Sequence, residues 1–323
     1  MNPMGVLLAA LATLNAVFLA TWGRAMLAAR KAGRQDAPAS DVRFPNAEQL
    51  LVGSITNFFD TLGIGSYAST TSWFRIRRIV GDRLIPGTLT VGHAIPVLMQ
   101  TLIYTTVVRV DLITLFAMIG AATVGAFLGA GFVAKWPIRR IRVGMGALLL
   151  VAAILMFVGA GGPLHQLTGV TLLPGGGEAT GVTGLKLAIA VGVNFVLGAL
   201  MTLGIGLYAP CMILVSLLGM NPTVAFPIMT GSGALLMPVA ATRFIGQGSY
   251  DSRAALGLVL GGVPAVLVAA FIVRSLDVNA MKWLVVAVVL YTGGTMLRAG
   301  LSRGARRPAA DVSDRADSVR ADG

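Results

Sequence analysis

Charge is scarce in this chain. Only 12% of its 323 residues are charged, about half of what a water-soluble globule carries, and the mean hydropathy is +0.82. A soluble fold is excluded on that ground. Thiols are scarcer still: Cys211 stands alone, so there is no intrachain disulfide and no multi-cysteine zinc or iron–sulfur site. His93 and His165 are the only histidines, which argues against a metal centre. Also missing are an H-E-x-x-H pair, a Ser–His arrangement assignable to neighbouring helices and a phosphate-binding loop, so no enzyme and no cofactor are expected. Acidic residues number 13 against 25 basic ones, a net charge of +12. In so apolar a chain the basic surplus belongs in short cytoplasmic loops, where it sets orientation, and not on nucleic acid.

What is abundant is apolar sequence, 56% of the residues. A helix needs about 20 apolar residues to cross a bilayer, and the runs here supply about eight or nine, leaving no length for a large soluble domain. The run from Met4 to Trp22 is followed, not preceded, by Arg24, Arg30, Lys31 and Arg34. That order is opposite to a cleavable signal peptide and reads as an anchor with its N-terminus outside. The expected organisation is an anchor over 1–30, a cytoplasmic loop over 31–47, a membrane unit over 48–161, a Gly-rich periplasmic loop over 162–184, a second membrane unit over 185–298, and a cytoplasmic tail over 299–323 whose alternating Arg and Asp read as disordered.

The two membrane units repeat one another. Leu62-Gly63-Ile64-Gly65-x-Tyr67 returns as Leu203-Gly204-Ile205-Gly206-x-Tyr208, and Pro96 with Pro238, Asp111 with Asp251, and Phe132–Lys135 with Phe271–Arg274 keep nearly the same spacing. If the Gly-containing element of each unit enters and turns back as a hairpin, one side receives Arg24, Arg30, Lys31, Arg34, Arg43, Arg75, Arg77, Arg78, Arg83, Lys135, Arg139, Arg140, Arg142, Arg243, Arg253, Arg298, Arg303, Arg306 and Arg307. The other side receives Arg109, Lys186, Arg274 and Lys282. That is 19 against four, whereas single crossings divide the same residues 13 to 10. The positive-inside rule selects the hairpins, and hairpins make the units inverted. The expected fold is an all-α polytopic membrane protein of two inverted-topology repeats, each a broken-helix hairpin plus three transmembrane helices, behind an N-terminal anchor helix.

Asn57, Asp60, Thr61, Ser66, Tyr67, Ser69, Thr70, Thr71 and Ser72 crowd the first hairpin, more polar groups than a lipid-facing helix carries. Gly63 and Gly65, and Gly204 and Gly206, are where helices break most easily. A helix restarting after each break would offer free N–H groups and the positive end of its dipole, a ready anion site; the other reading is that these glycines only permit close packing. The substrate-binding candidates are Gly63, Gly65, Ser66, Tyr67, Gly204, Gly206, Tyr208, Thr230 and Ser232. Asp60, the one carboxylate deep inside an apolar run, is a coupling candidate with His93 and Asn57, against a helix-capping role for Asp60 and a packing role for His93. Bulky substitutions at Gly65 or Gly206 are expected to abolish transport, and those at Gly159 or Gly262 to be milder.

Leu203-Gly204-Ile205-Gly206-Leu207-Tyr208-Ala209-Pro210, Ala225–Ser232 in the same half, and Gly125–Ala130 running to Lys135-Trp136-Pro137 in the first half carry a family resemblance. Over about residues 48–298 the chain resembles the sulfite exporter family TauE/SafE, also called the toluene sulfonate uptake permease family. It departs from that pattern in having Ser66-Tyr67 and Leu207-Tyr208 where further glycines are usual. The resemblance implies transport of sulfite, an organosulfonate or a related small sulfur-containing anion. A passive anion channel and a transporter of a different small anion are the alternatives. The implied partners are a small anionic substrate and the lipid bilayer, in the cell inner membrane with a cytoplasmic C-terminus; homodimer formation is left open.

Overall fold

The computed structural model describes residues 3–31, 44–133, 137–159, 162–170, 177–201 and 206–301. Most of the 31–47 loop, Gly204, part of the Gly-rich loop and the tail from 302 lie outside the described residues. The described residues are helical and contain no strand: α1 (Pro3–Lys31), α2 (Ala47–Thr61), α3 (Tyr67–Ile76), α4 (Ile85–Val107), α5 (Leu112–Val133), α6 (Ile138–Val158), α7 (Pro163–Thr168), α8 (Gly184–Met201), α9 (Tyr208–Leu217), α10 (Ala225–Gly246), α11 (Ser252–Ser275) and α12 (Val278–Leu301). Among the described residues, six helices are long and apolar enough to cross a membrane, namely α1, α6, α8, α10, α11 and α12, and Leu112–Leu128 of α5 is a further apolar stretch. That is fewer than the eight or nine apolar runs suggest. The threonines, His93 and Gln100 of α4 make it too polar to qualify despite its 23 residues, and α2 and α3 are short because they belong to a broken run.

Local sequence sets the helix starts. Asn46 and Gln49 form a reciprocal capping box at α2, with Asn46 Oδ1 accepting from Gln49 N at 2.8 Å and Gln49 Oε1 from Asn46 N at 3.1 Å. Asp111 caps α5 through Thr114 N at 2.8 Å, and Asp251 caps α11 through Ala254 N at 2.7 Å. Both carboxylates thus sit at helix ends, as their positions in the sequence suggest.

The packing is reciprocal between the two halves. α2 lies along α11 and α8 along α5; α4 faces α10 and α6 faces α12. Small residues allow the approach: a Cβ at Gly53 would meet the Gly257 carbonyl, and one at Gly198 the Ala122 carbonyl. Helix directions follow from the residues that touch. Gly53 meets Leu258 and Asn57 meets Gly262, so α2 and α11 run parallel; Ala122 meets Gly198 and Met118 meets Asn194, so α5 and α8 do too. Gly87 meets Phe244 while Tyr104 meets Phe226, so α4 and α10 are antiparallel, as are α6 and α12, where Arg139 bonds the Gly300 carbonyl and Phe157 faces Trp283.

Each broken element turns back on itself. Glu48 at the start of α2 pairs with Arg77 just after α3, Nε to Oε1 at 2.7 Å, so both feet of α2–α3 lie on one face. In α8–α9, Lys186 Nζ at the start donates to the Leu218 carbonyl at the end at 3.2 Å, and both feet again share a face. With the helix directions above, these two faces are opposite. Arg75, Arg77, Arg78, Arg83, Arg139, Arg140, Arg142, Arg243, Arg253 and Arg298 fall on the α2–α3 foot side, as does the end of α1, whose Trp22 lies beside Tyr250. Arg109, Lys186, Arg274 and Lys282 fall on the other.

Candidate functional site

The break between α2 and α3 is built from two glycines and one carboxylate. Gly63 and Gly65 adopt φ of +98° and +87°, a region that side chains strain to enter. A chain reversing there leaves amides without helical partners, and Asp60 answers one of them: its Oδ1 accepts Ser66 N at 2.7 Å. Its Oδ2 accepts Gln100 Nε2 from α4 at 2.9 Å. Tyr104, one turn further along α4, donates to the Thr61 carbonyl at 2.7 Å and ties down the end of α2. Asp60 is thus capping the restart of α3, and it does so while only 2% exposed.

A second network joins the same helices nearer their feet. Asn57 Nδ2 donates to the Gly53 carbonyl at 2.8 Å and lies 3.4 Å from the Leu258 carbonyl, which turns Asn57 Oδ1 toward His93 Nδ1 at 2.9 Å. An amide oxygen only accepts, so Nδ1 carries the proton. The other ring nitrogen, Nε2, is then an acceptor 3.2 Å from the Thr70 hydroxyl, which also reaches the Ser66 carbonyl at 2.8 Å. One hydroxyl proton serves two acceptors. Tyr67 lies over the imidazole, ring centroids 5.9 Å apart, and its hydroxyl meets Thr90 Oγ1 at 3.3 Å.

Asn57, Asp60, Ser66, Tyr67 and His93 are thus brought together, and Tyr208 of α9 lies within electrostatic reach of Asp60, Tyr67 and Tyr104. The two hairpins overlap in depth and do not meet end to end. Gly63 packs against Met212, a turn beyond the start of α9, while the Tyr208 hydroxyl reaches the level of Gly233 and Val97. Gly65 and Gly206 face open space, and Gly206 is exposed. Gly204 lies outside the described residues. Thr230 and Ser232 are buried on α10 with their hydroxyls donating to their own helix, at the Phe226 and Ile228 carbonyls, so neither offers its proton to a ligand. Gly262, ranked with the tolerant glycines from sequence, is wedged: a Cβ there would strike the Asn57 amide and Pro96.

Sequence reasoning did not select Gln100, Tyr104 or Thr70. A signal existed for the first two: His93, Gln100 and Tyr104 follow at steps of seven and four, one face of a helix. Thr70 is one hydroxyl among several in its segment, and only the folded hairpin singles it out. Among the described residues, no group of His, Cys, Asp or Glu side chains could hold a metal ion. No protein-family model, no curated protein and no solved structure matches the chain.

Proposed function

We propose that this protein is a secondary transporter for a small sulfur-containing oxyanion, sulfite or an organosulfonate, built as two inverted repeats in the cell inner membrane with its C-terminus cytoplasmic. The observation that carries the reading is the pair of broken hairpins whose feet lie on opposite faces and whose tips overlap inside the bundle. Helices that break within a span leave backbone groups for a ligand, and a pair entering from opposite sides suits alternating access. Reciprocal packing of α2 on α11 and α8 on α5 supports the repeat. The face carrying most of the basic residues would be the cytoplasmic one.

The two tips do not serve the anion equally. Asp60 already occupies the restart of α3, whereas among the described residues the restart of α9 at Leu207-Tyr208 has no side-chain cap, and it opens at Gly206. The anion belongs at α9. The sulfur-oxyanion class rests on the family resemblance alone. Counterflow of radiolabelled sulfite and of short alkyl- and arylsulfonates in proteoliposomes tests it: saturable exchange of one of them is expected, and exchange of none, by folded protein, overturns the reading.

A further inference from the structure

Asp60 is a carboxylate inside the bundle with no cation beside it. Among the described residues its partners are all neutral: the Ser66 amide, the Gln100 side-chain amide and the Ser66 hydroxyl beside it. The described arginines and lysines lie at helix ends, and their ion pairs are made elsewhere, Arg75 with Asp82 and Arg77 with Glu48. His93 is engaged with Asn57 and Thr70. A buried, unpaired charge costs several kcal/mol, so something must neutralise it.

The neighbouring oxygens say what. Gln100 gives its amide nitrogen to Asp60, and its Oε1 is buried with no hydrogen-bond partner among the described residues. An amide oxygen only accepts, so an unused one on the side chain that holds a buried carboxylate leaves room for a positive species. The Ser66 hydroxyl is buried beside the same carboxylate, and its oxygen lone pairs accept no hydrogen bond among the described residues. The Tyr208 hydroxyl is buried and unpartnered within electrostatic reach. Hard oxygens without competing nitrogen or sulfur ligands suit a hard cation. One carboxylate balances one charge, whereas a divalent ion would leave a net positive charge buried.

The geometry points to a monovalent cation site, for Na+, formed by the Asp60 carboxylate, Gln100 Oε1 and Ser66 Oγ at the restart of α3. It deepens the transport reading, on which it rests for its purpose. Inward movement of an anion runs against an inside-negative potential, and a co-bound Na+ would cancel that charge. The site couples to the hairpin tip directly, because Ser66 supplies both a ligand oxygen and the amide that Asp60 holds.

The single native cysteine provides the assay. Cys211 is fully buried, so a thiol-reactive fluorophore reports unfolding of the full chain in detergent. Melting is followed at fixed chloride while Na+ replaces choline, with no sulfur anion present. The wild-type melting temperature is expected to rise by about 4 °C with a half-saturating Na+ concentration in the millimolar range. Asp60→Asn should remove the rise. Ser66→Ala, which keeps the amide on Asp60, should raise the half-saturating concentration about tenfold and decides the matter should Asp60→Asn fail to fold. Equal melting in Na+ and choline from pH 6 to 9 overturns the site. So does a rise on acidification that makes Na+ irrelevant, which would leave Asp60 holding a proton only. An Asp60→Asn protein that keeps its Na+ response, or a Ser66→Ala protein with unchanged half-saturation, places the ion elsewhere and overturns it too. Na+ binding without oxyanion exchange would sink the transport reading alone, and exchange without Na+ binding would sink this one alone.

Discussion

Hairpin α2–α3 is held together by its own polar side chains, whereas α8–α9 has few of them: at the offset of 141, Met201 stands opposite Asp60, Leu207 opposite Ser66 and Cys211 opposite Thr70. At the offset of 142 that pairs Pro96 with Pro238, His93 is matched by Leu235. The backbones nevertheless end alike. Arg78 and Gly219, 141 residues apart, both take a left-handed conformation at φ of +51° and +87°, and each is followed by an amide that bonds five residues back, Ile79 to Phe74 and Met220 to Val215. Each pair of feet is clasped by one basic side chain. Electrostatics divides what the backbone shares. A helix start already answered by a carboxylate repels an anion and suits a cation. An uncapped start does the reverse.

The largest expected effect separates packing glycines from tip glycines. Gly262→Leu drives a side chain into Asn57 and Pro96, where α2, α4 and α11 meet, and overpacking against backbone-anchored groups costs about 1–3 kcal/mol or more. Size-exclusion profiles and Cys211 protection should show loss of folded protein. Gly206→Leu meets open space, so the protein should fold normally and lose oxyanion counterflow by about tenfold or more, because the side chain covers the α9 restart. Equal behaviour of the two variants would erase the distinction between tip and packing positions.

A smaller effect tests whether the two helix ends are truly alike. Arg78 accepts a left-handed backbone that glycine adopts freely, and relieving it should stabilise the protein by about 1 kcal/mol in Arg78→Gly. Gly219→Ala should lose a similar amount, since the added Cβ meets only Lys186 Nζ at 3.8 Å and the cost is conformational. Thermal unfolding of the two variants, read through Cys211, should move in opposite directions. Movement in the same direction would mean that the two ends are not equivalent.

Much of this was legible in the sequence, and the reason is physical. Apolar length marked α1, α8, α11 and α12, and the repeated Gly-Ile-Gly triplet marked where helix α2 stops, because positive φ at Gly63 and Gly65 is a requirement that few other residues meet. The charge division gives an expectation of which loops share a face. What the sequence could not convey was pairing between elements distant in the chain. Gln100 is 40 residues from Asp60, and Asn57 bonds a carbonyl 201 residues away. Nor does hydropathy tell Gly262, pressed on Asn57, from Gly206, pressed on nothing. Thr230 and Ser232 stood out as polar in an apolar span, yet a hydroxyl that bonds the carbonyl four residues back satisfies itself within its own helix.

The smallest effect concerns the clasps at the hairpin feet, where the two halves use different chemistry. In α2–α3 the Arg77 guanidinium holds the Glu48 carboxyl below its ordinary range, by a hydrogen bond first and by charge second. A carboxyl whose folded pKa is depressed contributes stability above its unfolded pKa, near 4.3 for glutamate, and loses it as pH falls through the folded value. In α8–α9, Lys186 donates to a backbone carbonyl, which does not titrate in acid. From pH 7 to pH 3, with the intrinsic pH dependence of amide exchange divided out, protection should therefore fall at residues 47–50 and 77–80 and stay constant at 185–188 and 218–220. Because Arg77 and Glu48 are both solvent-accessible, salt screens the pair, and Glu48→Gln should leave the melting temperature within measurement error while removing the acid-dependent part of the exchange. Acid-induced exchange that appears equally at both pairs of feet, or that persists in Glu48→Gln, would show that something other than this ion pair closes the first hairpin.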